Sequence, residues 1–230
     1  MAAKTISMAT VLVCLCLALG SGAAAFDVGT ELIRLEHDYV SVSLAVPKIR
    51  GLDDWLFEEY LNTAWRLEHL DYARRIQDAA LEARNEPSIP GHFFPYVCHT
   101  EFEVKHAEGG ILSLVTLFYG YTGGAHGLTV QKAVNYDLHS RRQLTLKDVV
   151  QHPDAVQIIL EEVNHQIAAD PQFYFPDVLP VSHLNEQDFY LTEAGLVVFY
   201  QLYDIAPYAA GIREFTIPWQ LFEGAELMMP

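Results

Sequence analysis

Residues 111–138 decide the fold class: Ile111-Leu-Ser-Leu-Val-Thr-Leu-Phe-Tyr-Gly-Tyr121, then Thr122-Gly-Gly-Ala-His126-Gly127, then Leu128-Thr-Val-Gln-Lys-Ala-Val-Asn-Tyr-Asp-Leu138. The first run is apolar at odd and even positions alike, as expected of a central strand buried on both faces. The last run has period two. Leu128, Val130, Val134, Tyr136 and Leu138 are expected to face inward, and Thr129, Gln131, Asn135 and Asp137 outward, with Lys132 breaking the inward row. The glycine-rich segment between them lets the chain bend from one strand into the next.

Working upstream, Glu108-Gly109-Gly110 predicts a tight turn, preceded by a strand with Phe102, Val104 and His106 on one face. Pro87, Pro90 and Gly91 mark a loop. Before it, Asp53-Asp54 place negative charge where a helix dipole favours it, and the spacing predicts a helix over 53–84. Its buried stripe is expected to run through Leu56, Tyr60, Ala64 and Leu67, widened by Phe57 and Leu61. Residues 31–47 read as a strand region closed by Gly51, with Val40, Val42, Leu44 and Val46 on the apolar face and Tyr39, Ser41, Ser43 and Ala45 on the other.

Downstream, His139–Arg142 turns the chain into Leu144–Asp148. Residues 153–168 predict an amphipathic helix, with Pro153 near its first turn and an apolar stripe of Val156, Ile159, Leu160, Val163 and Ile167. Strands Phe189–Leu191 and Leu196–Tyr203 flank Thr192–Gly195, and the loop Asp204–Gly211 leads to a last strand, Glu214–Ile217. This order predicts an α+β fold, an antiparallel sheet with helices packed on one face. The expected organisation is a signal peptide (1–25), an N-terminal strand-helix-strand subdomain (26–107) and a C-terminal α+β subdomain (108–230).

The signal peptide follows from Lys4, the apolar run Ile6–Gly20, and small residues at Ala23 and Ala25 before the expected cleavage point. A retained anchor is the alternative, because residues 6–25 just reach the length of a membrane span. Cleavage predicts a secreted or periplasmic protein with no membrane attachment. Loss of Lys4 takes the net charge from −16 to −17, a repulsive balance for nucleic acid and anionic lipid and a favourable one for a cationic partner. Two of the three cysteines, Cys14 and Cys16, leave with the signal, so Cys98 has no intramolecular disulfide partner. Its apolar surroundings predict a packed thiol. Neighbouring His99 points to the opposite face of a strand, which argues against a catalytic pair.

Three segments together resemble a known family. They are Phe118–Gly127; Asn135-Tyr-Asp137 with Leu144-Thr-Leu-Lys-Asp148; and Phe189-Tyr190 through Gly195–Gly211. The combination is similar to the RsiV-like family, the extracellular part of an anti-sigma factor that serves bacteria as a lysozyme receptor. Similar domains occur in exported proteins and in a peptidoglycan deacetylase. The resemblance covers most of residues 35–222 and is strongest from 111 onward. It implies an extracytoplasmic recognition domain able to clasp a basic protein such as lysozyme. Only Met1–Lys4 precede the apolar run, so a sigma-binding arm is not expected. A peptidoglycan-binding role is the second expectation, from the deacetylase relative and the twelve tyrosines.

The candidate partner-binding residues are Tyr121, Thr122, Gly123, Gly124 and His126, and Pro207 with Tyr208. Both groups admit a plainer reading, a glycine bend with His126 bonded to nearby backbone, and Tyr208 packed over the sheet. The glycine segment has neither the lysine nor the following hydroxyl of a phosphate-binding loop. Glu162-x-x-His165 puts two possible metal ligands on one helical face, whereas Glu103-x-x-His106 straddles a strand. No serine-hydrolase elbow or zinc-protease motif occurs, and adjacent Glu58-Glu59 and Glu161-Glu162 point apart. No cofactor, metal or catalytic residue is expected. An enzyme whose site assembles distant residues is the remaining alternative.

Overall fold

The computed structural model describes residues 26–85, 94–222 and 224–227. The expected signal peptide with Cys14 and Cys16, and the loop at Pro87, Pro90 and Gly91, lie outside the described residues. In chain order the elements are β1 (Asp27–Glu36), β2 (Val40–Arg50), α1 (Trp55–Asn85), β3 (Tyr96–Glu108), β4 (Ile111–Tyr121), β5 (Leu128–Asp137), β6 (Arg142–Gln143), α2 (Leu146–Val149), β7 (Val150–Gln151), α3 (Ala155–Ile167), β8 (Phe189–Leu191), β9 (Gly195–Tyr200), β10 (Arg213–Pro218) and β11 (Glu226–Leu227). Strands β1 to β6 form one sheet in sequence order, β8 to β10 a second, and β7 pairs with β11. The class is α+β. The large sheet is mixed, because β2 and β3 run parallel across the α1 crossover while β1–β2 and β5–β6 are antiparallel.

The chain divides into two compact units. One takes in the residues up to Phe102 and Phe118–Leu128; the other takes in Glu103–Leu117 and Thr129 onward. In the first, the 31–47 strand region is a hairpin. β1 turns at His37–Tyr39 and returns as β2, in unbroken register from Asp27 opposite Arg50 to Glu36 opposite Ser41. Val40, Val42, Leu44 and Val46 are buried, as their alternation requires. Helix α1 lies on β2 and is fixed there by Asn62. Its side chain accepts from the Ile49 N–H at 2.9 Å and donates to the Ile49 carbonyl at 3.0 Å.

Of the stripe expected of α1, Leu61 is buried as expected, but the rest of the covered face differs. Leu61, Trp65, His69, Ala73 and Ala80 are covered, whereas Leu56, Tyr60 and Leu67 are exposed at 63%, 63% and 59%. Apolar residues occur on two faces of this helix. The packed one lets Tyr72 reach the Phe118 carbonyl and the Phe118 ring (centroids 5.2 Å apart), with His69 against the same ring.

In the second unit, Ala155, Ile159, Val163 and Ile167 of α3 join Leu196, Val198, Phe215 and Ile217 of the small sheet in one core with Phe222. Val156, expected in this stripe, is exposed and Ala155 takes its place. The turn from β5 is set by Asp137, whose carboxylate accepts from the His139 and Ser140 backbone and from the Ser140 hydroxyl. Thr145 and Asp148 then close a capping box at the start of α2.

The largest departure from expectation is β5, whose two faces are exchanged. Gln131 and Asn135 are buried, and Leu128 and Val130 are exposed. Burial of these amides is compensated bond by bond. Asn135 Oδ1 accepts from the Ser113 hydroxyl at 2.7 Å, and its Nδ2 donates to the Phe189 carbonyl at 2.9 Å. The same Ser113 oxygen accepts from the Leu191 N–H at 2.9 Å. Gln201 acts as a surrogate strand for β5, its amide accepting from Gln131 N–H at 3.0 Å and donating to Gln131 O at 2.7 Å.

Candidate functional site

The candidate residues fall in two loops, one in each unit. In the first unit, Tyr121 ends β4 and Leu128 begins β5. Gly123 and Gly124 both have φ near +93, which glycine adopts without steric cost and other residues resist. The Tyr121 hydroxyl donates to the Gly124 carbonyl at 3.0 Å, so the bend is closed by the same tyrosine that ends the strand. Thr122, Gly123, Gly124 and His126 are exposed, and the His126 ring lies 2.9 Å from the Gly127 carbonyl through Nδ1. The bend thus has the backbone contact of the plainer reading and an outward surface as well.

In the second unit the loop between β9 and β10 holds Pro207 and Tyr208. β9 ends at Tyr200 rather than at the expected Tyr203, because the chain turns at once. Asp204 carboxylate accepts from the Gln201 N–H at 2.8 Å, and Asp204 N–H donates to the Gln201 carbonyl at 3.1 Å. Inside this turn Tyr203 has φ of +72, a backbone conformation uncommon for a bulky residue. Its side chain is 49% exposed, and its ring lies 5.8 Å from that of Tyr208 with the planes tilted by 34°. Ile205 and Ala206 then plunge into the core. Pro207 is exposed and Tyr208 half-buried, opening a short 3₁₀ turn that Gly211 ends at φ +72.

The loop is held at both ends. The Ile205 carbonyl accepts from Phe175 N–H at 2.9 Å. Arg213, at the start of β10, donates to the Ala210 carbonyl at 3.1 Å and to the Tyr174 hydroxyl at 2.9 Å, and its guanidinium lies over the Tyr174 ring. Beneath the loop, burial pushes the Asp188 carboxyl up, and the Asp204 charge adds to the shift against the opposing bonds from Asn185 and Gln201. The result is an ordered projection with two tyrosines and a proline on its surface and a carboxylate pair at its base.

Pro207 and Tyr208 are legible in the sequence as candidates; Tyr203, Asp204 and Arg213, which the structure places in or against the same loop, are not singled out there. Asp204 after a strand is a turn signal. Nothing in the sequence announces the positive φ of Tyr203 or the reach of Arg213 to Tyr174.

The other candidates are placed as follows. Cys98 is fully buried, and burial pushes its thiol up to about 12; His99 faces out on the opposite side of the strand. Glu162 accepts from Gln166 at 2.8 Å and lies 3.3 Å from His165 on the same helical face. Glu103 is exposed while His106 is buried, as an offset of three on a strand requires. Among the described residues there is no group of three or more His, Cys, Asp or Glu side chains able to hold a metal ion. No described helix is long and apolar enough to cross a membrane.

A two-unit α+β module with aromatic loops outside its cores defines the class. Residues 33–129 match the family model described as Deacetylase PdaC, and residues 147–220 match the one described as Protein of unknown function (DUF3298). Anti-sigma-V factor RsiV of Bacillus subtilis (strain 168) is 25% identical over 197 residues, which is 81% of this chain and 65% of that protein's length. The homologue and the two domain matches together show the resemblance to the RsiV-like family. A DUF3298 family member from Bacteroides fragilis NCTC 9343 has the same fold, with a TM-score of 0.66 at 21% identity over 87% of this chain and 93% of that one. A second, from Pseudomonas aeruginosa PAO1, gives 0.55 at 18% over 89% and 94%. The chain therefore spans about two thirds of its curated relative and nearly all of the two solved structures.

Proposed function

We propose that this chain is an exported, non-catalytic recognition module that binds a cationic protein at the cell envelope, lysozyme being the first candidate. The observation that carries the reading is the fastened loop with Tyr203, Pro207 and Tyr208 on its surface. Tyrosine supplies contact area at small entropic cost, and a loop already bonded at both ends loses little freedom on binding. The net charge of −16 raises the encounter rate with a basic partner. Kinship with an anti-sigma factor of lysozyme-sensing type supports a protein ligand over a small one. Tyr121, Thr122, Gly123, Gly124 and His126 belong to the proposal as a second exposed contact.

Titration of the purified protein against lysozyme by calorimetry at low and moderate salt tests this. Binding at low salt that weakens as salt is added supports the reading, and Tyr208→Ala should reduce it. Absence of binding at low salt, where attraction between opposite charges is greatest, removes lysozyme as the partner. The match of residues 33–129 to the deacetylase family favours a second reading, a peptidoglycan-binding module. Co-sedimentation with insoluble cell wall separates the two, since protein that stays in the supernatant counts against the second.

A further inference from the structure

Of the two apolar faces of α1, the one turned away from the sheet stands in water. Trp55 is 73% exposed, the highest value of any large apolar side chain among the described residues, and Leu56 and Tyr60 beside it are exposed as well. At about 100° per residue, Trp55, Glu59, Leu56 and Tyr60 follow one another around an arc of about 140°, so a carboxylate stands between an indole and a leucine. Half-buried Phe57 backs Tyr60, the two rings stacked with centroids 6.1 Å apart. Trp55 and Tyr60 leave roughly 200–350 Å² of aromatic surface in water. With Leu56 this reaches the size of the largest patch on an ordinary monomer, which is often a functional one.

The backbone under this patch is already fixed. The Asp54 carboxylate accepts from the Leu56 and Phe57 N–H groups at 3.0 and 3.1 Å, and the Glu58 carboxylate accepts from the Leu52 N–H at 2.9 Å. These bonds cap the helix and hold its first turn, while Asp53 and Glu59 are exposed. Asp53, Asp54, Glu58 and Glu59 bring four carboxylates to the start of α1, and no lysine or arginine occurs between Arg50 and Arg66. Arg66 itself is bonded to Glu31 at 3.0 Å. All of these residues lie in the first unit.

We propose that the first turns of α1 are a docking surface for a basic protein, whose lysine or arginine side chains lie on Trp55 and Tyr60 with their charge on Glu59. The inference deepens the cationic-partner reading and rests on it for the sign of the partner's charge. A cation over the face of an aromatic ring is held by the ring quadrupole, most strongly by tryptophan, and a carboxylate beside it accepts a charge-assisted hydrogen bond. Exposed Trp and Tyr on a rigid backbone are the residue types that anchor interfaces, and a capped helix loses little freedom when a partner binds. A second copy of the chain would set four carboxylates against four, which like-charge repulsion disfavours. A neutral glycan would find rings to stack on but carries no cation for the charge to attract.

Two probes of the purified protein test this: lysozyme, by calorimetry, and a tryptophan-free oligoarginine peptide, by the fluorescence of Trp55, with Trp55→Phe identifying that residue's part of the signal. Peptide binding should change the fluorescence. Trp55→Ala, Tyr60→Ala and Glu59→Lys should each weaken binding at least about tenfold, with circular dichroism confirming that each variant is folded. Glu161→Lys, the same change of charge at an exposed site on α3, should weaken it less than about threefold, because salt screens a distant surface charge. Lysozyme binding that Tyr208→Ala weakens and the three α1 variants leave intact overturns this surface and leaves the cationic-partner reading standing. Peptide binding that depends on Trp55 and Glu59, without lysozyme binding, supports the surface and removes lysozyme alone. Failure of both probes overturns both. Equal losses from Glu59→Lys and Glu161→Lys reduce the effect to net charge and overturn the inference. So does co-sedimentation with insoluble cell wall that Trp55→Ala abolishes, or a dimer in sedimentation equilibrium that Leu56→Glu dissociates.

Discussion

Replacing Asn135 by alanine is expected to destabilise the protein by about 2–6 kcal/mol, a large cost for removing a polar side chain from a position the alternation assigns to the surface. Asn135 is 2% exposed. Its loss leaves the Phe189 carbonyl and the Ser113 hydroxyl hydrogen without their partners at 2.9 and 2.7 Å. Each buried group left unsatisfied costs about 1–3 kcal/mol, which sets the range. Ser113→Ala should cost a similar amount, because it strands the Leu191 N–H, bonded at 2.9 Å, and the Asn135 carbonyl oxygen. The double variant should cost less than the two singles together by about 1–2 kcal/mol, since the bond they share is counted twice. Urea unfolding followed by circular dichroism measures all three, provided the slope m is unchanged. A cost below about 1 kcal/mol for either single variant, or strict additivity, would refute the compensated-burial account of β5.

Three further outcomes are expected. Cys98, with its thiol held at about 12 by burial, should be inert to thiol reagents in the folded protein at neutral pH and fully reactive in denaturant; rapid labelling of the native protein would contradict its packing. The Thr145 hydroxyl and N–H, followed by Arg142, hold the Asp148 carboxyl at about 2. A depressed carboxyl contributes stability that is complete above its unfolded value near 4 and is lost as pH falls toward 2. Asp148→Asn should therefore cost about 1 kcal/mol at pH 7 and progressively less below pH 4, which thermal melts across that range would show. Tyr203→Gly should be at least as stable as Tyr203→Ala, by about 1 kcal/mol, because glycine accepts the positive φ. Both should weaken partner binding equally if the ring is what the partner touches, and a calorimetric titration separates the two effects.

The strands were readable wherever a segment's periodicity coincided with its packing. Val40, Val42, Leu44 and Val46 point inward as their alternation says, β4 is buried on both faces, and the turn at Glu108–Gly110 falls where its two glycines place it, both at positive φ. The reading failed where two faces of one element were both eligible for burial. In α1 the stripe through Leu56, Tyr60 and Leu67 was the more apolar to the eye, yet Trp65, His69 and Ala73 meet the sheet. Helical periodicity gives a period and leaves the phase open when apolar residues occupy more than one face. β5 failed for a different reason. Hydropathy charges an amide the full cost of burial, and that cost vanishes when each donor and acceptor is met.

Sequence alone determined the α+β class, the run of strands around one long and one shorter helix, and the segments that carry the RsiV-like kinship. These depend on local periodicity, turn residues and residue order, all of which a chain carries with it before it folds. Only tertiary structure decided which face of α1 and β5 is covered, that β2 and β3 run parallel, and that Tyr203 stands beside Tyr208 on a loop fastened by Arg213 and Tyr174. Each of those depends on partners far away along the chain, such as Asn135 and Phe189 or Arg213 and Tyr174. Their bonds exist only once the chain has brought them together.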